Sequence, residues 1–239
     1  CGTEVTVHVE AFHPEAPARE ALDGFIETNG CIAIEAAHYT ARHDAGGAGW
    51  REIPDYGRTL SSMAVFPVTL PATSPPANSP RLEYRVYIVH PGELKVTAYV
   101  APSLDFVPGQ GLRLGVSFDD QPVQVADAVQ RTERGEFHLH DWEQSVIYNI
   151  RKIETVHRVT EPGYHTLKIW MVDPIVVLQK IVIDCGGVRP SFLGPPESPR
   201  GGKETRRHPA EGWNPLAPFP AAGEDDPLSP LNDFDPFPV

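Results

Sequence analysis

Apolar and polar residues alternate with a period of two along several short stretches of this 239-residue chain, and each stretch stops at a Gly, Pro, Asn or Asp signal. The clearest is Arg81 to Val89. Leu82, Tyr84, Val86 and Ile88 fall on one face, and Glu83, Arg85, Tyr87 and Val89 on the other. Side chains alternate across a strand, so this pattern predicts a strand with one buried face. Gly92 to Ala101 reads as its hairpin partner. Leu112 to Phe118 and Gln121 to Val125 predict a second pair turning at Asp119-Asp120. Tyr164 to Val172 puts His165, Leu167, Ile169 and Met171 on one face, with Tyr164, Thr166, Lys168 and Trp170 on the other. Asp173-Pro174 then stops the ladder, because proline has no N–H to donate. Ile175 to Asp184 follows, dense in Val and Ile and ended by Gly186-Gly187, and reads as the second arm of a closing hairpin. A helix would accommodate this run, but its β-branched content and flanking Pro and Gly favour a strand.

The remaining stretches complete an all-β chain. Gly24 to Thr40 holds the first strand of the main domain, expected to lie antiparallel to the last. Trp50 to Pro67 carries two short extended pieces, and Arg42 to Trp50 and Pro71 to Pro80 read as loops. Asp141 to Glu154 stays open: Trp142, Val146, Ile150 and Ile153 have helical spacing, whereas Ser145 to Ile150 alone suits a strand. Thr3 to Val9 alternates and runs into His13-Pro14 and Ala16-Pro17, so residues 1–23 read as the end of a preceding β-domain or a linker. Short strands with regular turn signals over 24–197 predict a β-sandwich or jelly roll. From 198 to 239 Pro, Gly, Asp and Glu dominate around Trp213, Phe219, Phe234 and Phe237, which predicts an irregular Pro-rich tail.

Composition narrows the function classes. There are 26 Pro and 20 Gly against 2 Met, a profile of many turns. A net charge of −12 opposes a nucleic-acid partner, since phosphate binding needs clustered Lys and Arg. No run of about 18 apolar residues predicts a membrane span. The chain opens at Cys1 without an initiator Met or a signal-peptide pattern, and the expectation is a piece of something longer.

Candidate chemistry is sparse. Glu136, His138 and His140 at i, i+2 and i+4 offer zinc-type ligands, but a solvated strand edge explains them as well. Asp119-Asp120 reads as a turn, because a glycosidase pair faces across its substrate instead of standing adjacent on one chain. Ser61-Ser62 has no strand–turn–helix elbow around it. Cys31 and Cys185 flank the first and last strands. If those strands pair antiparallel, a bridge there would close a loop of roughly 150 residues and contribute about 5 kcal/mol; two unpaired thiols are the alternative.

The segments GFIETNGCIAIEAAHYT, WREIPDYGRT, LGVSFDD and GYHTLKIWMVDPIVVLQKIVIDCGGVRPSFLGPPES resemble the C-terminal domain of glycoside hydrolase family 115 over roughly Phe25 to Ser198. The resemblance implies a jelly roll similar to carbohydrate-binding modules of families 6 and 35. It also implies a non-catalytic accessory part of a secreted α-glucuronidase. The implied partners are glucuronoxylan or arabinogalactan and a parent catalytic domain. A structural or dimerisation domain, such as a homodimer in which it completes a partner protomer's active site, is the alternative. In similar modules, first-strand glutamates and an aspartate near the last strand hold a structural calcium. Here Glu35 and Asp184 are the matching oxygens, and Ala37 stands where the second glutamate is usual. Cys31 and Cys185 replace residues commonly Tyr and Thr, as a gained disulfide would. For sugar contact, Trp50, Tyr56 and Trp142 offer rings and Arg58 offers a fork for a glucuronate carboxylate. Trp170, on a strand, reads as core.

Overall fold

The computed structural model describes residues 21–105, 110–129 and 139–201, with backbone alone at 139–141. All of these belong to the compact unit Cys1–Arg207; the second unit, His208–Val239, lies outside them, as do the expected strand Thr3 to Val9 and the aromatic residues of the tail.

Thirteen strands and one α-helix follow in chain order among the described residues: β1 (Gly24–Ile26), β2 (Cys31–Glu35), β3 (Ala41–His43), β4 (Gly49–Ile53), β5 (Ser62–Phe66), β6 (Arg81–Ile88), β7 (Gly92–Val100), β8 (Arg113–Phe118), β9 (Gln124–Asp127), α1 (Leu139–Tyr148), β10 (Arg151–Val159), β11 (Gly163–Met171), β12 (Val177–Asp184) and β13 (Arg200–Gly201). One sheet runs β13-β1-β6-β11-β8-β9, with β3 also beside β6; the other runs β10-β7-β12-β5-β4, with β2 also beside β12. This is a jelly roll, and its core lies between the two sheets. Leu82, Tyr84, Val86 and Ile88 of β6 face Ile32 and Ile34 of β2, Val96 and Ala98 of β7 and Ile181 and Ile183 of β12, in one buried cluster. The expected faces of β6 and β11 and the antiparallel pairing of first and last strands, β2 with β12, are all present.

Of the three expected hairpins, the one formed by β8 and β9 is present and the other two are corrected. β6 pairs with β1, β3 and β11, whereas β7 pairs with β10 and β12 in the opposite sheet. β11 and β12 are likewise split between the sheets. Each connection is an arch across the core, which local alternation does not distinguish from a hairpin, since both require one apolar face per strand. A buried carboxylate anchors each arch. Glu27, 2% exposed, accepts the Val89 and His90 N–H groups at 2.7 and 2.9 Å and meets His90 Nδ1 at 2.6 Å. Asp173 accepts Arg113 N–H at 2.7 Å, the Arg113 guanidinium at 2.9 and 3.0 Å, and the Gln110 amide at 2.7 Å.

The open segment resolves into α1 followed by β10, and β10 is a strand the sequence reading missed. It alternates buried and exposed from Arg151 to Val159, but its buried face includes Arg151, Thr155 and His157, so the alternation is not one of hydrophobicity.

The exit segment does more than leave the domain. Ala33 and Ser198 exchange two bonds: Ala33 N–H to Ser198 Oγ at 3.0 Å, and Ser198 N–H to the Ala33 carbonyl at 2.9 Å. Glu35 N–H donates to Glu197 Oε1 at 3.0 Å, and His38 Nδ1 meets the same oxygen at 2.8 Å. These side chains cover the free edge of β2, which would otherwise present unpaired N–H and C=O groups. Pro199 and β13 then pass to β1 of the other sheet. The Glu197 hydrogen bond raises the His38 pKa, with burial partly opposing it. A raised folded value stabilises fully below the unfolded value near 6.5 and stops contributing as pH climbs through the folded value. Glu197→Gln is therefore expected to lower the urea midpoint most below about pH 6.5, with the deficit shrinking as pH rises through the raised folded value. A deficit of the same size at every pH would contradict the ion pair.

Candidate functional site

Among the described residues a concavity lies over the outer face of the sheet that carries β10, β7 and β12. It is a groove of about 380 Å³, within the range of sugar and small-ligand sites. One wall comes from the end of α1 and the start of β10: Gln144, Tyr148, Arg151 and Lys152. The other comes from Arg58, on the loop between β4 and β5, and from Phe192 of the exit segment. Phe192 is 65% exposed and Tyr148 45%, and their rings stand 6.1 Å apart. The Arg58 guanidinium lies 4.2 Å over the Phe192 ring and donates to the Phe192 carbonyl.

A defect in β12 holds the two walls together. The ladder to β7 pairs Leu178 with Val100 and Lys180 with Tyr99, leaving Gln179 as an extra residue in a bulge. Leu178 and Ile181 both point to the core, so Gln179 and Lys180 both turn outward. Gln179, 4% exposed, accepts Arg58 N–H at 3.1 Å and donates to the Asn149 carbonyl at 3.4 Å. Asn149 has φ of 52°, which suits an amide residue at the turn out of α1.

The structure separates the expected sugar contacts. Arg58 lines the groove. Tyr56 is 49% exposed on the same loop but is not a lining residue. Trp142 sits on α1 with the Arg151 guanidinium 5.4 Å over its ring, beside the groove instead of in it. Trp50 is a correction: it is 0% exposed, in the core, with Nε1–H donating to the Pro80 carbonyl at 3.2 Å. Its strand face, set by the pairing of β4 with β5, turns the ring inward. Trp170 is buried as expected, but on the outer face of its sheet, where it donates to Ser117 Oγ at 2.9 Å beneath Arg81. Asp119 turns with φ of 47° and binds His165 Nδ1 and Thr166 N–H, while Asp120 meets Lys168, so neither carboxylate faces the other across a cleft.

The calcium expectation does not fit these residues. Glu35 receives the Lys180 ammonium at 3.0 Å and the Thr59 hydroxyl at 2.8 Å, so its local countercharge is already an ammonium. Asp184 binds the Gly186 and Val188 N–H groups of its own turn. In register, Glu35 stands opposite Lys180 and Asp184 opposite Cys31, four rungs away or about 13 Å, too far to share an ion. Among the described residues no three His, Cys, Asp or Glu gather as a metal site. Glu136 and His138 lie outside the described residues, as does the His140 side chain.

The disulfide expectation is corrected as well: Cys31 and Cys185 are both free. Cys31 pairs with Asp184, and Cys185 N–H donates to the Gly30 carbonyl, so the two cysteines are offset by one residue. A one-residue offset sends side chains to opposite faces. Cys185 accordingly packs on the core, while Cys31 meets the Thr28 carbonyl. Burial, reinforced by nearby carboxylates, pushes both thiols up, Cys185 far up.

The sequence profile described as the glycosyl hydrolase family 115 C-terminal domain matches residues 24–197. The chain belongs to this family. Three solved structures are similar to this family 115 C-terminal domain. A family GH115 4-O-methyl-α-glucuronidase with specificity for decorated arabinogalactans aligns at 20% identity over 61% of this chain, with a TM-score of 0.43. The chain spans 17% of that enzyme's length. The C-terminal family 6 carbohydrate-binding module of LamC from Zobellia galactanivorans aligns at 13% identity over 64% of this chain and 98% of the module, TM-score 0.41. A family 35 carbohydrate-binding module from Clostridium thermocellum aligns at 15% identity over 64% and 97%, TM-score 0.42. No curated protein matches.

Tyr148, Lys152 and Phe192 of the groove lining, and Gln179 beneath it, are residues that sequence reading missed. Lys152 and Tyr148 sat in the ambiguous segment, and Gln179 sat in a run read for its hydrophobicity. Phe192, alone among Pro and Gly in PSFLGPP, was the visible signal: an aromatic with no strand to bury it.

Proposed function

We propose that this domain is a non-catalytic accessory module that holds polysaccharide for a family 115-like α-glucuronidase acting outside the cell. Glucuronoxylan is its first substrate and arabinogalactan its second. The observation that carries this reading is the groove itself, where exposed Tyr148 and Phe192 rings stand beside cationic and amide side chains. Sugar C–H faces suit such rings, and hydroxyls suit Gln144 and Ser145. No described lining residue is Asp or Glu, which argues against hydrolysis in the groove, because glycosidases act through two carboxyl groups.

Affinity electrophoresis of the chain in gels containing each polysaccharide tests the reading. Retardation on glucuronoxylan is the expected result; unchanged mobility on both polymers would reduce the domain to a scaffold. One observation favours that second reading. Val146, Ile147 and Leu193, 52%, 67% and 48% exposed, lie on the same two segments as the groove's aromatic residues and present an apolar surface to water. If this surface joins protomers, sedimentation velocity will show a dimer that Ile147→Glu dissociates.

A further inference from the structure

Resting on the binding reading above, we infer that the groove is a carboxylate-reading subsite. Arg58 and Lys152 receive the carboxylate of a uronic acid residue, Tyr148 faces the sugar ring, and Gln179 is the positioning residue that sets Arg58.

The argument begins with charge. The chain carries −12 overall, so cations readily find carboxylate partners. Arg85 pairs with Asp23, Lys95 with Glu154, Lys168 with Asp120, and even buried Lys180 with Glu35. Among the described residues Arg58 and Lys152 have no carboxylate partner, and although Arg158, Arg189 and Arg200 share that property, only Arg58 and Lys152 of these five line the groove. Lys152 instead rests its ammonium 5.3 Å over Tyr99. Among the described residues the Arg58 guanidinium donates only to the Phe192 carbonyl and stacks on that ring. A guanidinium stacked on a ring keeps its in-plane donors available, and those donors match the two oxygens of a carboxylate. Beside these two cations the lining holds the Tyr148 and Phe192 rings, Gln144, two serines, the aliphatic Ala128 and Ile150, and Arg151, whose guanidinium stacks on Trp142, so a neutral sugar face and a carboxylate are served together.

Placement of Arg58 is built from below. Gln179 is buried, stands on the bulge, and spans from Arg58 N–H to the Asn149 carbonyl with both ends of its amide. It therefore ties the arginine wall to the α1 wall that carries Tyr148. Among the described residues no other polar side chain bonds both of these segments.

The test uses the full chain and two forms of one polymer: native glucuronoxylan and the same material with its carboxyl groups reduced to alcohols. Titration calorimetry is expected to show native polymer binding about tenfold more tightly than reduced polymer. Arg58→Ala and Lys152→Ala, both at solvent-accessible positions, should each erase most of that ratio. Gln179→Leu should shrink the ratio severalfold, and Gln179→Glu, which keeps the acceptor for Arg58 N–H, should recover more of it than Leu does. Equal affinity for both polymers would overturn the carboxylate subsite and leave the accessory-module reading standing. A ratio that survives Arg58→Ala and Lys152→Ala would place charge recognition elsewhere and overturn the assignment to this groove. Absence of binding to either polymer would overturn the binding reading and this subsite with it.

Discussion

Asp173→Ala is expected to cost about 3–5 kcal/mol of folding stability, read as a shift of the urea midpoint at unchanged m-value. The Asp173 side chain is fully buried. Its carboxylate collects four hydrogen bonds, from Gln110, the Arg113 backbone and two nitrogens of the Arg113 guanidinium. The backbone closes the same corner, with Asp173 N–H donating to the Arg113 carbonyl at 3.1 Å. This is the point at which the chain leaves β11 and crosses the core to β12. Removing the carboxylate leaves an Arg113 N–H and part of a guanidinium without their acceptor. Arg113 is about one-third exposed, so water recovers some of that loss, whereas the buried amide recovers little. Asp173→Asn keeps the shape and one oxygen acceptor and should cost less. A cost below about 1 kcal/mol for Asp173→Ala would mean that the arch holds without its anchor.

Trp50→Ala should be of similar size, about 3–5 kcal/mol, and should act on stability alone. Trp50 is the largest fully buried side chain among the described residues, and its truncation opens a cavity that a two-sheet core cannot easily close. It also frees the Pro80 carbonyl, which Met171 N–H shares at 3.0 Å, so the loop over Trp170 loses one support. The decisive comparison is with Arg58→Ala. Trp50→Ala should lower the melting temperature and leave affinity per folded molecule unchanged. Arg58→Ala should leave the melting temperature within a degree or two and weaken binding, because it removes one accessible cation and no core contact. A folded Trp50→Ala protein with lost polysaccharide affinity would return the ring to the binding surface and contradict the packing described above.

Trp50 also marks where reading a chain residue by residue fails for sites. A tryptophan flanked by Gly-rich sequence and by Arg51 has the chemistry of a sugar contact. Whether its ring meets solvent or core depends on which face of β4 is covered, and residues from β2, β6 and β12 decide that. Arg58 was legible because its loop position carries no burial pattern to override. Phe192 was legible in principle, as an aromatic side chain in a stretch too rich in Pro and Gly to form a strand. Gln179 was not legible: only the bulge, set by pairing across to β7, turns it towards Arg58.

Alternation and turn chemistry by themselves determined that this is an all-β sandwich, which faces of β6 and β11 are buried, and that Asp119-Asp120 turns. Those properties depend on one residue and its near neighbours. Tertiary structure alone decided which strands share a sheet, where arches replace hairpins, and on which face each cysteine falls. It also decided that Lys180 is the cation beside Glu35. Sheet membership depends on pairings between residues far apart in sequence, and one residue of register sends a side chain to the opposite face. The groove belongs to this second class, since its walls come from the β4–β5 loop, α1, β10 and the exit segment, joined by one glutamine on β12.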